Sequence, residues 1–264
     1  MEKNVPNANA LLRFILTLGL WLAVGSAQAQ NGLGTVRLDN WGFYQKNANG
    51  SEQWQYRPRV FVPYGFDNGW TFTQRADVPM LYTNATGPAK PEGGYSGGIG
   101  NSLIEEIVDS PEVAPNLTLR ASLRFVFPSP KASPFGTDNQ YQVAPGVGLT
   151  YKMPDTLNGV TIAPYLRYFW GFDAKNAGTT LVSSLNLFPT VTFKLDDRWS
   201  LSLYPENPIT FNNNTNAWFV PLDFMFVNRV SKTFEFAIGG AVKLGNPSNP
   251  SYNYIVDGRA TFYF

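Results

Sequence analysis

Long segments of this chain alternate apolar and polar residues with a period of two. In the segment 117–127, Leu119 and Leu123 each precede an arginine, Arg120 and Arg124. Successive side chains of a β-strand point to opposite faces, so the alternation predicts strands with one apolar and one polar face. Because no segment beyond residue 30 has a convincing helical period, the chain is predicted to be all-β.

The alternating segments are long, at about 10–14 residues, whereas strands of globular proteins average about 5–6. Short turns between them alternate with longer polar links, an arrangement typical of outer-membrane barrels. The pattern therefore predicts a transmembrane antiparallel up-and-down β-barrel of about twelve strands, within a range of about 10–14. The strands are expected near 33–44, 53–64, 70–81, 98–108, 117–127, 141–153, 159–172, 179–194, 198–207, 217–230, 234–244 and 252–264. The longer links are expected at 46–52, 83–97, 128–140, 173–178, 209–216 and 245–251.

The segment 1–29 has the order of regions found in a secretory signal peptide. Lys3 and Arg13 supply positive charge, residues 14–25 form an apolar run, and residues 27–29 make an Ala-x-Ala cleavage site. This order predicts export. A membrane anchor is the alternative, but an apolar run of about 12 residues is shorter than the 20 or so that span a bilayer.

The remainder, 30–264, is predicted to be one outer-membrane barrel domain. Its first part, 30–52, alternates poorly. That stretch is therefore either the first strand or a periplasmic or plug segment.

Charged residues share the polar face of the predicted strands. In a soluble sandwich this face would meet water, whereas in a membrane barrel it would line the lumen while the apolar face met lipid. Strand length, aromatic residues near strand ends and the secretory leader favour the barrel. The candidates for the lumen and the substrate path are Arg57, Arg59, Arg75, Asp77, Arg120, Arg124, Arg167, Asp223, Asp257 and Arg259.

Two interpretations of these charged residues stay open. As a binding surface, the arginines would attract anions and aromatic rings. As a structural network, they would pair with Asp77, Asp223 and Asp257 and stiffen the barrel. Glu105 and Glu106 cannot share one site, because adjacent strand residues face opposite sides, and one of them is expected at a rim.

The chain ends on an alternating strand whose last residues are aromatic. Phe262 and Phe264 resemble the C-terminal signal that insertion machinery reads in outer-membrane barrels. The expected partners are the barrel-assembly machinery, outer-membrane lipid and lipopolysaccharide, with a small-molecule substrate in addition. Nucleic acid is not expected, because the formal net charge of the whole chain is only +1 and creates no strong field of one sign.

The composition removes most catalytic chemistry. The chain has no cysteine and no histidine, so thiolate nucleophiles and the commonest general base are missing. The segment 94–98 matches the Gly-x-Ser-x-Gly nucleophile motif, but no histidine exists to activate Ser96. The chain is therefore not predicted to be an enzyme, and no cofactor or metal site is expected.

Several stretches resemble a family of outer-membrane transporter-like barrels assigned to the MetA pathway of phenol degradation, some of whose members carry the name neuromedin U. The resemblance lies in an early hairpin at 56–79, a strand start at 98–101, a Phe-x-x-Pro strand end at 125–128 and a Trp-x-x-Pro segment at 218–221. Asn101 replaces the aspartate usual in the second of these motifs. The resemblance implies transport of small aromatic or hydrophobic compounds.

The chain is thus predicted to be an outer-membrane channel or transporter for small, aromatic or hydrophobic compounds. A first alternative is a structural or surface-interaction barrel with a closed lumen. A second is a soluble periplasmic β-protein that binds a small ligand in its interior. The side-chain faces and the state of the lumen distinguish the three.

Overall fold

The structure, a computed structural model, describes residues 32–87, 93–129, 134–135, 140–156, 159–173, 180–245 and 251–264. The predicted signal peptide lies outside these ranges. None of the described residues forms a helix with the length and apolarity needed to cross a membrane. The strand segments are β1 (Arg37–Asn47), β2 (Glu52–Gly65), β3 (Thr71–Asp77), β4 (Met80–Thr83), β5 (Ser96–Ile99), β6 (Ser102–Asp109), β7 (Leu117–Phe127), β8 (Tyr141–Met153), β9 (Val160–Phe172), β10 (Ser183–Lys194), β11 (Trp199–Leu203), β12 (Ile209–Asn212), β13 (Ala217–Phe219), β14 (Pro221–Arg229), β15 (Phe234–Lys243) and β16 (Tyr252–Tyr263).

The segments form one closed antiparallel sheet. β1 pairs with β2 on one side and with β16 on the other, so Arg37 lies opposite both Phe61 and Tyr263. The short segments β3 and β4, β5 and β6, β11 and β12, and β13 and β14 join in pairs, and each pair continues one wall strand. The wall is therefore a barrel of twelve strands, which confirms the predicted fold class.

The start of β1 and the end of β16 lie at the same end of the barrel, which is here called the terminal end. The opposite end is called the loop end. The backbone N–H of Phe264 donates to the carbonyl of Val36 at 2.9 Å, and that of Gly34 donates to the carbonyl of Pro63 at 2.8 Å. Residues ahead of β1 thus continue its pairing with β2, and β1 is a wall strand rather than a plug.

Two of the predicted long links are short turns. The link expected over 46–52 is a turn at 48–51, because Asn47 still belongs to β1 and Glu52 begins β2. The link expected over 209–216 contains β12 and ends in a four-residue turn, where Asn212 Oδ1 accepts the backbone N–H of Asn214 at 2.9 Å. Asparagine side chains that close such turns make a short turn resemble a loop in sequence.

Prolines lie at or beside three of the four interruptions in the wall strands. Pro79 separates β3 from β4, Pro205 lies between β11 and β12, and Pro221 begins β14. Proline cannot donate to the hydrogen-bond ladder, and a closed barrel has no edge where that loss is harmless. The strand predicted over 198–207 is wrong beyond Leu203, because residues 204–208 leave the wall and fold inward. This five-residue segment is called the inward bulge.

The outer face of the wall is apolar and exposed, as a surface that meets lipid requires. Val147 in the middle of β8 is 60% exposed, and Ile238 of β15 is 58% exposed. Tryptophan side chains lie near strand ends, the depth of lipid headgroups. The exposed tryptophans are Trp54, Trp70, Trp170, Trp199 and Trp218.

We expect Val147→Arg to lower the free energy of unfolding by about 2–4 kcal/mol, because it places a charge in the middle of the lipid-facing wall. Val147→Leu keeps an apolar surface and should stay within about 0.5 kcal/mol of the wild type. Denaturant unfolding of protein inserted in vesicles, followed by tryptophan fluorescence, measures both. Equal stability of the two variants would show that β8 presents its other face to lipid.

Candidate functional site

The lumen holds a cavity of about 320 Å³ in the terminal half of the barrel. Eight arginines and three carboxylates line it, so the lining carries an excess of positive charge. Asp77, Asp109 and Glu235, which lie outside the lining, pair with several of its arginines. The arginines are Arg37, Arg57, Arg59, Arg75, Arg120, Arg124, Arg167 and Arg259, and the carboxylates are those of Asp39, Glu105 and Glu206.

A first ion-pair cluster surrounds Asp77 on β3. Arg59 lies directly opposite Asp77 in the ladder, and its Nε donates to Asp77 Oδ2 at 2.9 Å. Arg75, two residues before Asp77 on the same face, donates to both carboxylate oxygens at 2.8 and 2.7 Å. Asp77 is 1% exposed. Two guanidinium groups thus compensate its desolvated charge.

Glu206 joins this cluster from the inward bulge. Arg59 Nη1 and Nη2 donate to Glu206 Oε2 and Oε1 at 3.0 and 2.9 Å, and Arg57 also donates to Oε1. Two parallel bonds between a guanidinium and a carboxylate form the strongest geometry available to such a pair. Because β2 and the bulge are not neighbours in the sheet, the contact bridges two separate parts of the wall.

A second cluster surrounds Glu105 on β6. Arg124 Nη2 donates to its Oε2 at 2.7 Å, Arg75 Nη1 to the same oxygen at 3.2 Å, and Ser122 Oγ to Oε1 at 2.8 Å. Arg167 of β9 also donates to Oε1. Arg75 therefore links the two clusters into one network across the middle of the barrel.

Two glycines in β8 make room for Tyr165 beside this network. A Cβ at Gly146 would lie 1.9 Å from Tyr165 Oη, and one at Gly148 would lie 2.7 Å from its Cδ2. The phenol oxygen is 2.5 Å from Ser122 Oγ and accepts a bond from Arg167 Nη2 at 3.2 Å. Glycine at both positions thus lets the ring lie along the wall with its hydroxyl next to Glu105.

Two further predicted residues form ion pairs of their own. Arg120 donates to both oxygens of Asp109 at 2.6 and 2.9 Å near the terminal end. Arg259 pairs with Glu235 on the neighbouring strand β15. Both arginines line the cavity without joining the two central clusters through an ion pair.

Asp223 and Asp257 do not have the expected role. Asp223 accepts the backbone N–H groups of Glu206 and Asn207 at 3.0 and 2.8 Å. Asp257 is 3% exposed, and its carboxylate oxygens accept no hydrogen bond from the described residues. The prediction that these two aspartates pair with the luminal arginines is therefore wrong. Glu105 and Glu206 pair with those arginines instead.

Sequence reasoning missed Glu105 and Glu206. Glu105 is a luminal residue in mid-strand rather than a rim residue, whereas Glu106 lies on the outer face, 3.4 Å from Gln74 Nε2. The signal for Glu105 was its register opposite Arg75 and Arg124 on the two flanking strands, a favourable cross-strand arrangement. Glu206 carried no such signal, because the inward bulge follows no strand period.

Aromatic rings flank the arginines of the lumen. The Cζ atom of Arg37 lies 3.8 Å from the ring centroid of Phe61, and that of Arg57 lies 4.5 Å from the centroid of Phe43. Guanidinium groups at such distances are attracted to the ring faces. The lumen therefore combines cationic groups with apolar surface.

The part of the chain that the structure describes contains no cluster of three or more acidic side chains that could hold a metal ion. The carboxylate oxygens of Asp77 and Glu105 accept hydrogen bonds from arginine and serine side chains.

Phe262, a predicted assembly residue, faces outward from β16, and Phe264 is 76% exposed at the terminal end.

Solved outer-membrane barrels share this fold. An outer-membrane channel from Pseudomonas putida F1 matches with a TM-score of 0.68, at 11% identity over 88% of this chain and 96% of that one. The NanC porin matches with a TM-score of 0.51, at 15% identity over 86% of this chain and 98% of that one. At such identities the likeness concerns the fold alone. No protein-family model and no curated protein matches the chain, so the resemblance to the phenol-degradation family stays a prediction.

Replacing Glu105 with Gln should lower the free energy of unfolding by about 3–5 kcal/mol, because it leaves several buried guanidinium groups without their counter-charge. The adjacent Glu106→Gln is the matched control. It removes a carboxylate from the lipid-facing side, so stability should stay the same or rise slightly. Parallel denaturant titrations in vesicles test the pair. The reverse order of the two effects would place Glu106 in the lumen.

Proposed function

We propose that the chain is an outer-membrane channel for small organic anions, above all those that carry an aromatic ring. The observation that carries the proposal is the cavity, where the arginines share the lining with Trp41, Phe61, Tyr165 and Phe188. Guanidinium groups bind carboxylate oxygens and stack on rings, while the aromatic side chains supply apolar surface. An aromatic acid uses both kinds of surface, whereas an inorganic ion uses only one.

The outer face supports a location in the outer membrane. Exposed apolar side chains cover the whole height of the wall, and a soluble protein rarely exposes a continuous patch of this size. The soluble periplasmic alternative therefore fits the structure poorly. In barrels of this class both termini lie in the periplasm, which puts the cavity on the periplasmic side. Lipid and lipopolysaccharide would surround the wall, and the barrel-assembly machinery would read Phe262 and Phe264.

The ion-pair network favours a second candidate function. Asp77, Glu105 and Glu206 form ion pairs with the mid-barrel arginines, and the Arg59–Glu206 contact joins separate parts of the wall. A lumen packed shut in this way would belong to a structural or surface-interaction barrel. Such a barrel would have no conductance.

Permeability of oppositely charged aromatic ions tests the channel. We expect purified protein in liposomes to pass benzoate several-fold faster than trimethylphenylammonium. The double variant Arg37→Gln/Arg120→Gln should reduce this ratio by about threefold or more, because it removes two cations that line the cavity. Their side chains are 35% and 45% exposed. Because Arg37 pairs with Asp39, whose side chain is 1% exposed, the fold of the double variant is verified before flux is measured.

Arg198→Gln/Lys232→Gln, in the turns before β11 and before β15, removes the same two charges outside the cavity and should leave the ratio unchanged. Folded protein that shows neither flux nor conductance would contradict the channel and favour the closed barrel. A preference for the cation would contradict the anion selectivity.

A further inference from the structure

We propose that Arg57 and Arg59 form the carboxylate-binding site of the channel, and that Glu206 occupies this site in the resting state as a built-in competitor. The inference rests on the proposed function and names the head group of its substrate. A carboxylate on the solute would replace that of Glu206.

The site is already complete for a carboxylate. Arg59 presents two parallel donors, at 3.0 and 2.9 Å from the oxygens of Glu206, and Arg57 supplies a third. Arg59 also keeps its Nε on Asp77 at 2.9 Å. Since that bond does not involve Glu206, the guanidinium stays oriented when Glu206 leaves, and an incoming carboxylate meets a preorganised fork.

Hydrogen bonds hold the backbone of Glu206 in place, while its side chain can still rotate. The backbone N–H groups of Glu206 and Asn207 donate to Asp223, and Thr190 Oγ1 donates to the carbonyl of Tyr204 at 2.7 Å. The inward bulge is therefore tied to the wall on two sides. Exchange of carboxylates requires only rotation of the Glu206 side chain.

The other two acids of the network are poor candidates for exchange. Asp77 and Glu105 project from wall strands and their side chains are 1% exposed, although Glu105 also lines the cavity. The side chain of Glu206 lines the cavity too, but it is 15% exposed and projects from the irregular backbone of the inward bulge. Among the acids of the two central clusters, Glu206 is thus the one that a solute can reach and displace.

The surroundings of the fork suit an aromatic carboxylate. The Cζ atom of Arg59 lies 5.2 Å from the ring centroid of Trp41, and Trp41 and Phe61 both line the cavity next to the two arginines. A ring attached to the carboxylate would lie against these side chains. Its binding would also replace the contact between β2 and the inward bulge.

Calorimetric titration of the full-length barrel in detergent micelles with benzoate tests the inference. Glu206→Gln keeps the size of the side chain and removes its charge, so the Kd for benzoate should fall by about tenfold or more. Glu206→Ala should tighten binding in the same way and serves as a second variant. Benzamide, which has the same ring and no charge, should bind all forms equally.

Glu235→Gln is the matched control. Glu235 also pairs with a luminal arginine, Arg259, and its side chain is 14% exposed, but it does not line the cavity. Its benzoate Kd should equal that of the wild type. Equal benzoate affinity in the Glu206 variants and the wild type would overturn the inference, as would an equal gain in Glu235→Gln or an equal gain for benzamide.

Liposome flux of the wild type separates this inference from the proposed function. If the folded wild type passes no benzoate while the Glu206 variants bind it more tightly, the carboxylate site stands and the channel falls. If the wild type passes benzoate and the variants bind it no better, the channel stands and the competitor role of Glu206 falls.

Discussion

Closure of the sheet is the constraint on which the rest of this structure depends. In lipid, every backbone N–H and C=O must find its partner within the wall, and pairing of β1 with both β2 and β16 meets that demand. Closure sends alternate side chains of every strand inward. Charged residues that lipid rejects therefore collect in one lumen, where an uncompensated buried charge is costly. The ion-pair network follows from the closed wall.

The network also gives a role to the interruption between β11 and β12, one of four in the wall strands. Asp77 and Glu105 reach arginines on their own and flanking strands, and Glu105 also reaches Arg167 on a more distant one. Arg57 and Arg59 receive a further carboxylate from another part of the wall, where the inward bulge supplies Glu206. The bulge loses ladder bonds at Pro205, but Asp223 accepts two of its N–H groups. Asp223 thus stabilises backbone rather than an arginine.

The sequence predicted the wall better than the site. Alternation placed Leu119 and Leu123 outside and Arg120 and Arg124 inside, because the strand period alone decides the face. Partners depend on register between strands, which closure and turn geometry set and no single segment encodes. Sequence reasoning therefore did not assign Glu105 to the lumen, although its cross-strand neighbours are arginines. The interruption after Leu203 was missed for a related reason. A proline indicates that a strand is irregular, but not whether the irregular segment turns into the lumen or away from it.

The two candidate functions rest on the same ion-pair network. They differ mainly in whether one acid of that network, Glu206, can be replaced by the carboxylate of a solute. Some networks contain only acids that project from strands, are 1% exposed and pair with several arginines. Such a network stiffens a barrel and leaves no site at which a solute could bind. Glu206 breaks that uniformity: it is partly exposed, it projects from irregular backbone, and it occupies a fork fixed independently by Asp77. The partly exposed position of Glu206 therefore favours a lumen whose central contact can be replaced by a soluble anion.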